Sequence, residues 1–314
     1  MLNQSYNRAK SNLEGIGLGK IANGKIDIGT HITFATVQTL KSIDLQAYAD
    51  TWDCVIVDES HRVCGTPASA GMFYKVMNQL VARYKYGLTA TPYRNAKGTE
   101  KAMFACLGKT IIEIDKSVLK SKIIPATIYK ITTNFNDIPE NCQDTDGTIK
   151  YANLTTALSE DTERNNLILD LLKKCENNYT LVLADRVKQM KYLQKKLGYG
   201  QVIDGKTKKD IRETAIQNMR DGKDKVLFAT YGLAKEGLDI PRLDRLILAS
   251  PHRDKATIIQ AVGRIERTFE NKQTPICYDL VDDIQYFEKM YKTRKSYYKK
   301  NGNEIKEQED AKME

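Results

Sequence analysis

Five short apolar runs constrain this chain more than any other feature. CVIVD (54–58), TLVLAD (180–185), KVLFAT (225–230), RLILAS (245–250) and PICYDLVD (275–282) are built largely from Val, Ile and Leu, without regular polar alternation. A strand with one wet face alternates; a strand covered on both faces does not, and such strands belong to parallel sheets flanked by helices. Stretches with helical spacing lie between them, over 157–175, in VKQMKYLQKKL, over 208–220 and in TIIQAVGRIER (257–267). Strands alternating with helices specify α/β domains with parallel sheets. The N-terminal half repeats the theme. LNQSYNRAKSNLE reads as a helix with a glycine-rich exit at Gly15, Gly17 and Gly19. ITFATVQTL (32–40) reads as a strand entering a helix, 72–84 as a helix, and YKYGLTATP as a strand ending at proline. TIIEI (110–114) and ATIYKITTNF (126–135) are β-rich. A length of 314 residues suits two cores. The turn-rich stretch NDIPENCQDTDGTIKYAN puts the connection in the region 120–152. The expected division is 1–125, 126–285 and a charged helical tail, 286–314.

Ligands of open parallel sheets sit beyond the carboxyl ends of the strands. VIVDESH (55–61) ends there on Asp58 and Glu59. One carboxylate can hold Mg²⁺ beside a triphosphate, and its neighbour can orient or deprotonate water. The alternative is an acidic cap on the next helix. LTATP (88–92) ends another strand, and its threonines can bond to the acidic pair or to backbone. ATYGLAKEGLDIP (229–241) offers a hydroxyl and backbone amides for phosphate oxygens, or is an ordinary strand–helix–turn. In QAVGRIER, Arg264 and Arg267 are expected on one helix face with Gln260 a turn back. Two guanidiniums there suit a phosphoryl group in transfer; otherwise they form a solvated face bridged by Glu266.

These segments, in this order and spacing, resemble motifs II (VIVDESH), III (LTATP), IV (LVLAD), V (ATYGLAKEGLDIP) and VI (QAVGRIER) of superfamily 2 helicases and translocases, and ITFATVQTL looks like motif Ib. The resemblance covers about residues 25 to 285, and DESH is a variant of the DEAH form. It implies two RecA-like domains in tandem with ATP and Mg²⁺ between them. Asp58 would hold the metal and Glu59 would activate water. His61 and Gln260 would couple hydrolysis to movement, with Thr89 and Thr91 linking the two sites. Arg264 and Arg267 would reach ATP from the second domain. Thr36, Gln38 and Thr230 would lie near the nucleic-acid backbone, and Gly237 and Asp239 would shape the cleft. Since motif II is not DEAD, the flavour is that of DNA repair, phage and restriction-type translocases. The implied partner is single-stranded or branched DNA, read through its backbone with marked salt dependence.

The family also carries a phosphate loop, Gly-x-x-x-x-Gly-Lys-Ser/Thr, upstream of motif II. Neither Gly19-Lys20 nor Gly24-Lys25 fits it, and in GKT at 108–110 Met103 stands where the first glycine belongs. GQVIDGKT (200–207) matches formally, but a helix precedes Gly200 and the intervening residues read as a strand, whereas the loop must present its amides to phosphate. The expectation is therefore a first domain entered after that loop, with an unpaired sheet edge. The loop would come from a longer protein or a partner chain, or the chain would be a non-hydrolysing nucleic-acid-binding remnant. A motor subunit of a restriction or nuclease complex is a further alternative; with no nuclease motif visible, it would need a partner.

Bulk properties agree with this reading. The net charge of +9 suits a polyanionic partner, though solvated lysines alone give the same balance. Six scattered cysteines without a CxxC pair, and three histidines, argue against zinc and for reduced thiols in a cytoplasm, bacterial or phage-infected. No apolar run reaches the length of a membrane span. In the tail, YFEKMYKTRKSYYKK is expected to pack Phe287, Met290, Tyr291 and Tyr298 onto the second domain rather than stack on bases, and NGNEIKEQEDAKME to be solvated or disordered.

Overall fold

Strands and helices alternate as the apolar runs require. The computed structural model describes residues 2–63, 71–89, 100–114, 123–235 and 238–308. They fall into two compact units, 1–114 and 115–314.

The first unit contains α1 (Leu2–Asn12), β1 (Leu18–Ala22), β2 (Lys25–Asp27), β3 (Ile32–Ala35), α2 (Val37–Leu40), β4 (Cys54–Asp58), α3 (Met72–Gln79), β5 (Tyr84–Leu88) and α4 (Glu100–Leu107). β1 pairs with β2 antiparallel and with β3 parallel. The hairpin turns on Asn23 and Gly24, at φ 52° and 74°. That is the conformation an Asn-Gly pair adopts readily in a two-residue hairpin. β4 and β5 are parallel, with Asp58 opposite Leu88, and among the described residues they pair with no third strand. The expected parallel strand is therefore present, but its burial is one-sided. Val57 is in the core while Ile56 is 63% exposed, and Tyr84, Tyr86 and Leu88 share its exposure. The residues that do pack inward (Val57, Val63, Val76, Met77, Leu80 and Met103) form the core of the unit. TIIEI is not a strand: Ile111, Ile112 and Ile114 are exposed and unpaired with any described strand. β-propensity without a neighbouring strand does not make a ladder.

The second unit runs β6 (Thr127–Thr133), α5 (Tyr151–Glu160), α6 (Thr162–Lys174), β7 (Thr180–Ala184), α7 (Val187–Leu197), β8 (Gln201–Ile203), α8 (Lys209–Asp221), β9 (Val226–Thr230), α9 (Tyr231–Lys235), β10 (Arg245–Leu248), α10 (Lys255–Ile265), β11 (Ile276–Asp282), α11 (Gln285–Lys300) and β12 (Ile305–Gln308). Its seven-stranded sheet has the order β12-β6-β11-β10-β7-β9-β8, and every neighbouring pair is parallel. Successive residues face opposite layers. Leu181, Leu183, Leu246 and Leu248 join the core beside Ile258, Val262 and Tyr298, whereas Val182, Ala184, Ile247 and Ala249 meet Ile168, Leu172 and Leu193. Burial on both faces is why these runs do not alternate.

Three expectations need correction here. The span 157–175 is two helices, because Asp161 accepts from Arg164 N at 2.7 Å and starts a new one. The region 120–152 is more than a connection. β6 is an interior strand of the sheet, and Cys142 and Leu154 pack with Ile284, Phe287 and Met290. The end of the chain is ordered at least to Gln308, since β12 pairs with β6. The tail helix packs through Phe287, Met290, Tyr291 and Tyr298, all buried.

Candidate active site

The acidic pair stands where the parallel sheet delivers it. Asp58 is the last residue of β4 and is exposed. Its Oδ1 accepts from Glu59 N at 2.9 Å. Glu59 has φ 52°, a left-handed conformation uncommon outside glycine and asparagine. This reverses the chain at once, so a short 3₁₀ turn, Ser60–Val63, follows with Ser60 and His61 buried. Gly87 permits the close approach: a Cβ there would lie 2.8 Å from Ser60 Cβ and Oγ. His61 Nδ1 lies 3.2 Å from Glu59 Oε2 and 3.0 Å from Thr89 Oγ1. One imidazole nitrogen thus links the acidic pair to the end of β5. Among the described residues, the Asp58 carboxylate accepts from the residue next to it, and the turn that follows is 3₁₀ rather than α-helical. Exposed hard oxygens at a strand end are the donor type Mg²⁺ takes. Thr36 precedes α2 and bonds Thr39 Oγ1 through its hydroxyl, and Gln38 is exposed on that helix. Thr91 lies outside the described residues.

In the second unit Thr230 closes β9 and Gln260 lies on α10, one turn before Arg264. α10 starts on Asp254, which accepts from Thr257 N at 3.2 Å. Arg264 is buried. Its Nε donates to Ala234 O at 2.8 Å, Nη2 donates to the same carbonyl, and Nη1 donates to Leu238 O at 2.5 Å. The guanidinium therefore ties α10 to the 234–238 segment. Arg267 is not on a shared helix face. α10 ends at Ile265, and the chain turns extended to bridge Arg267 with Ile123. Arg267 pairs with Asp239 and its side chain is 42% exposed. Gly237 lies outside the described residues. Burial pushes the Asp185 carboxyl, at the end of β7, above its ordinary range, while Arg186 pulls the other way.

The stretch 200–207 is no phosphate loop. Gln201–Ile203 is a strand, and Asp204 Oδ1 accepts from Lys206 N at 2.9 Å and Thr207 N at 2.7 Å. The amides that would face a phosphate already serve a carboxylate. The bond from Thr207, with the two amides and Lys191, lowers that carboxyl below its usual range.

Residues 2–94 match the family described as the type III restriction enzyme res subunit, and residues 163–268 match the helicase conserved C-terminal domain. The two matches fall on the acidic pair and on the arginines respectively. The chain belongs to superfamily 2 of the helicases. A protein of Acanthamoeba polyphaga mimivirus, named as an ATP-dependent RNA helicase, is 27% identical to this superfamily 2 chain, over 95% of its length and 56% of the relative's. The ATP-dependent DNA helicase uvsW of Enterobacteria phage T4 is 23% identical over 91% of this chain and 57% of its own. The chain spans about half the length of the curated relatives it matches. Dbp5 of S. cerevisiae, bound to RNA and ADP BeF3, superposes with TM-score 0.67 at 14% identity, over 98% of this helicase chain and 74% of that one, and shares its fold of tandem RecA-like domains. No described helix of the chain is long and apolar enough to cross a membrane.

Two residues near the arginines carry no signal of their place in the sequence: Glu266 reads as part of a solvated face and Asn303 as part of a solvated tail, yet both are buried and Asn303 Nδ2 donates to Glu266 Oε1 at 2.6 Å.

Proposed function

We propose that this chain is the motor of an ATP-dependent DNA helicase or translocase, in which the two units close on one nucleotide. The observation that carries the reading is the Glu59–His61–Thr89 cluster at paired strand ends of a superfamily 2 chain. Mg-ATP would supply the phosphoryl group, with closure on ATP binding and opening on release of the products. Asp58 would hold the metal through its exposed carboxylate. Glu59 would take the proton from water, and His61 would report its state to Thr89 and the nucleic-acid side. Arg267, half-buried and paired with Asp239, would exchange that partner for phosphate oxygens. Arg264 would do the same on releasing the carbonyls of Ala234 and Leu238. Gln260, Gly237 and Asp239 would line the same cleft, with Thr36, Gln38, Thr91 and Thr230 along the strand path.

DNA is favoured by the phage relative's name and by a motif II that is not DEAD; the mimivirus relative's name points to RNA. A place as motor subunit of a restriction or nuclease complex draws support from the restriction-subunit match over 2–94. The test is ATP hydrolysis by the product of the complete gene, with single-stranded DNA, branched DNA or RNA added. DNA is expected to stimulate most. Arg264→Ala is expected to lower stimulated turnover by about 10³-fold or more, the scale of an arginine finger. Stimulation by RNA alone would overturn the DNA reading, and full turnover in Arg264→Ala would remove that residue from the site.

A further inference from the structure

Three segments distant in sequence meet at one buried carboxylate. Glu266 follows the last residue of α10 and is 7% exposed. Its Oε1 accepts from Ala126 N at 3.1 Å and from Asn303 Nδ2 at 2.6 Å. Its backbone oxygen accepts from Ile124 N at 2.7 Å, beside the bridge between Ile123 and Arg267. Asn303, equally buried, also donates to Ala126 O at 3.0 Å. The chain thus enters the second unit along Glu266 and Arg267, and its C-terminal tail closes over the same point.

Asn303 is placed there by strong constraints. Arg294 on α11 grips Asp279 of β11 with two bonds of 2.8 Å, and Tyr298 donates to the same carboxylate at 2.8 Å. Asn303 N then donates to Tyr298 O at 3.0 Å, and β12 docks on β6 immediately beyond. Tail, entry segment and the end of α10 form one hydrogen-bonded assembly. Arg264 lies two residues before its centre and Arg267 one residue after.

We propose that Glu266 and Asn303 are positioning residues for the two arginines: their bond fixes where α10 ends and in which direction Arg267 leaves it. This rests on the arginines acting on ATP as proposed above. A buried carboxylate tolerates donors around it and not a second carboxylate. Asn303→Asp removes the donor and sets like charges together, whereas Glu266→Gln keeps the accepting Oε1. An ångström of misplacement in a site of this kind costs about 100-fold in rate.

The experiment uses the product of the complete gene. Asn303→Asp is expected to lower nucleic-acid-stimulated kcat at least about tenfold with KM for ATP within about twofold, and Glu266→Gln to stay near wild type. Hydrogen exchange on the same proteins, which needs no hydrolysis, is expected to quicken at the amides of Ile124, Ala126 and 266–268 in Asn303→Asp while α11 stays protected. Unchanged kcat and unchanged exchange in Asn303→Asp would overturn the proposal. So would equal losses in Asn303→Asp and Glu266→Gln, or a loss that only follows melting of α11. If wild type hydrolyses no ATP, the motor reading fails, and faster exchange still upholds the anchor while unchanged exchange refutes it.

Discussion

Glu59→Gln is expected to lower ATP turnover by about 10²–10⁴-fold, the scale of removing a general base. The amide keeps the size of the side chain and its reach to His61 Nδ1, now 3.2 Å from Glu59 Oε2, and cannot take a proton. Asp58 is untouched, so the affinity for Mg-ATP should change little. The left-handed backbone at Glu59 sharpens the expectation. A conformation costing about 1–3 kcal/mol persists where the surroundings hold it, commonly at functional sites. Here it turns the carboxylate back toward His61 and Thr89 at the strand ends. Single-turnover hydrolysis by the product of the complete gene, with nucleic acid present, measures the effect. Turnover within about twofold of wild type would place the base elsewhere.

The second large effect is on stability. Asp279 lies at the middle of β11 and Asp282 at its end, and they face opposite layers. Arg294 holds the first from α11, and Arg164 holds the second from α6, with Nε at 2.6 Å from Asp282 Oδ1 and Nη1 at 2.6 Å from Ala249 O. All four side chains are almost wholly inaccessible. Arg294→Ala leaves the Asp279 carboxylate buried with Tyr298 as its remaining described donor, and stranding such a charge costs about 3–5 kcal/mol. Domains are commonly stable by about 5–15 kcal/mol, so the second unit should unfold at a much lower urea concentration. Lysine should not rescue it, because one ammonium cannot reproduce the two-pronged contact. Arg294→Met with Asp279→Leu should recover most of the loss, since removing both charges removes the penalty. A loss below about 1 kcal/mol in Arg294→Ala would show that α11 is held by its apolar side chains alone.

Much of this architecture is legible in the sequence, for a physical reason. Runs such as TLVLA and VLFAT are buried on both faces, so composition alone marks them as strands of a covered parallel sheet. Asp58, Glu59 and Thr89 are legible because a strand end is a fixed point from which a side chain can be placed. What escaped depends on contacts distant in sequence. β1 and β2 lie in a glycine-rich stretch read as a helix exit, although Asn23-Gly24 is a hairpin signal in its own right. β12 is short and charged, and only its pairing with β6 makes it a strand. TIIEI has the composition of a strand and no partner among the described residues. The i+3 spacing of Arg267 from Arg264 reads as helical, but the helix stops one residue after Arg264 and Arg267 bridges Ile123 of a segment distant in sequence. Periodicity carries no information about where a distant segment will dock.

In the proposed function, carboxylates of the first unit and guanidiniums of the second would act on one nucleotide. A crystal structure of the complete gene product with ADP, beryllium fluoride, Mg²⁺ and single-stranded DNA tests it most directly. Asp58 is expected on the metal side, with a nitrogen of Arg264 or Arg267 within about 3 Å of the fluoride that stands for the γ-phosphate. Arg264 still on the carbonyls of Ala234 and Leu238, Arg267 still on Asp239, and a nucleotide held by the first unit alone would contradict it.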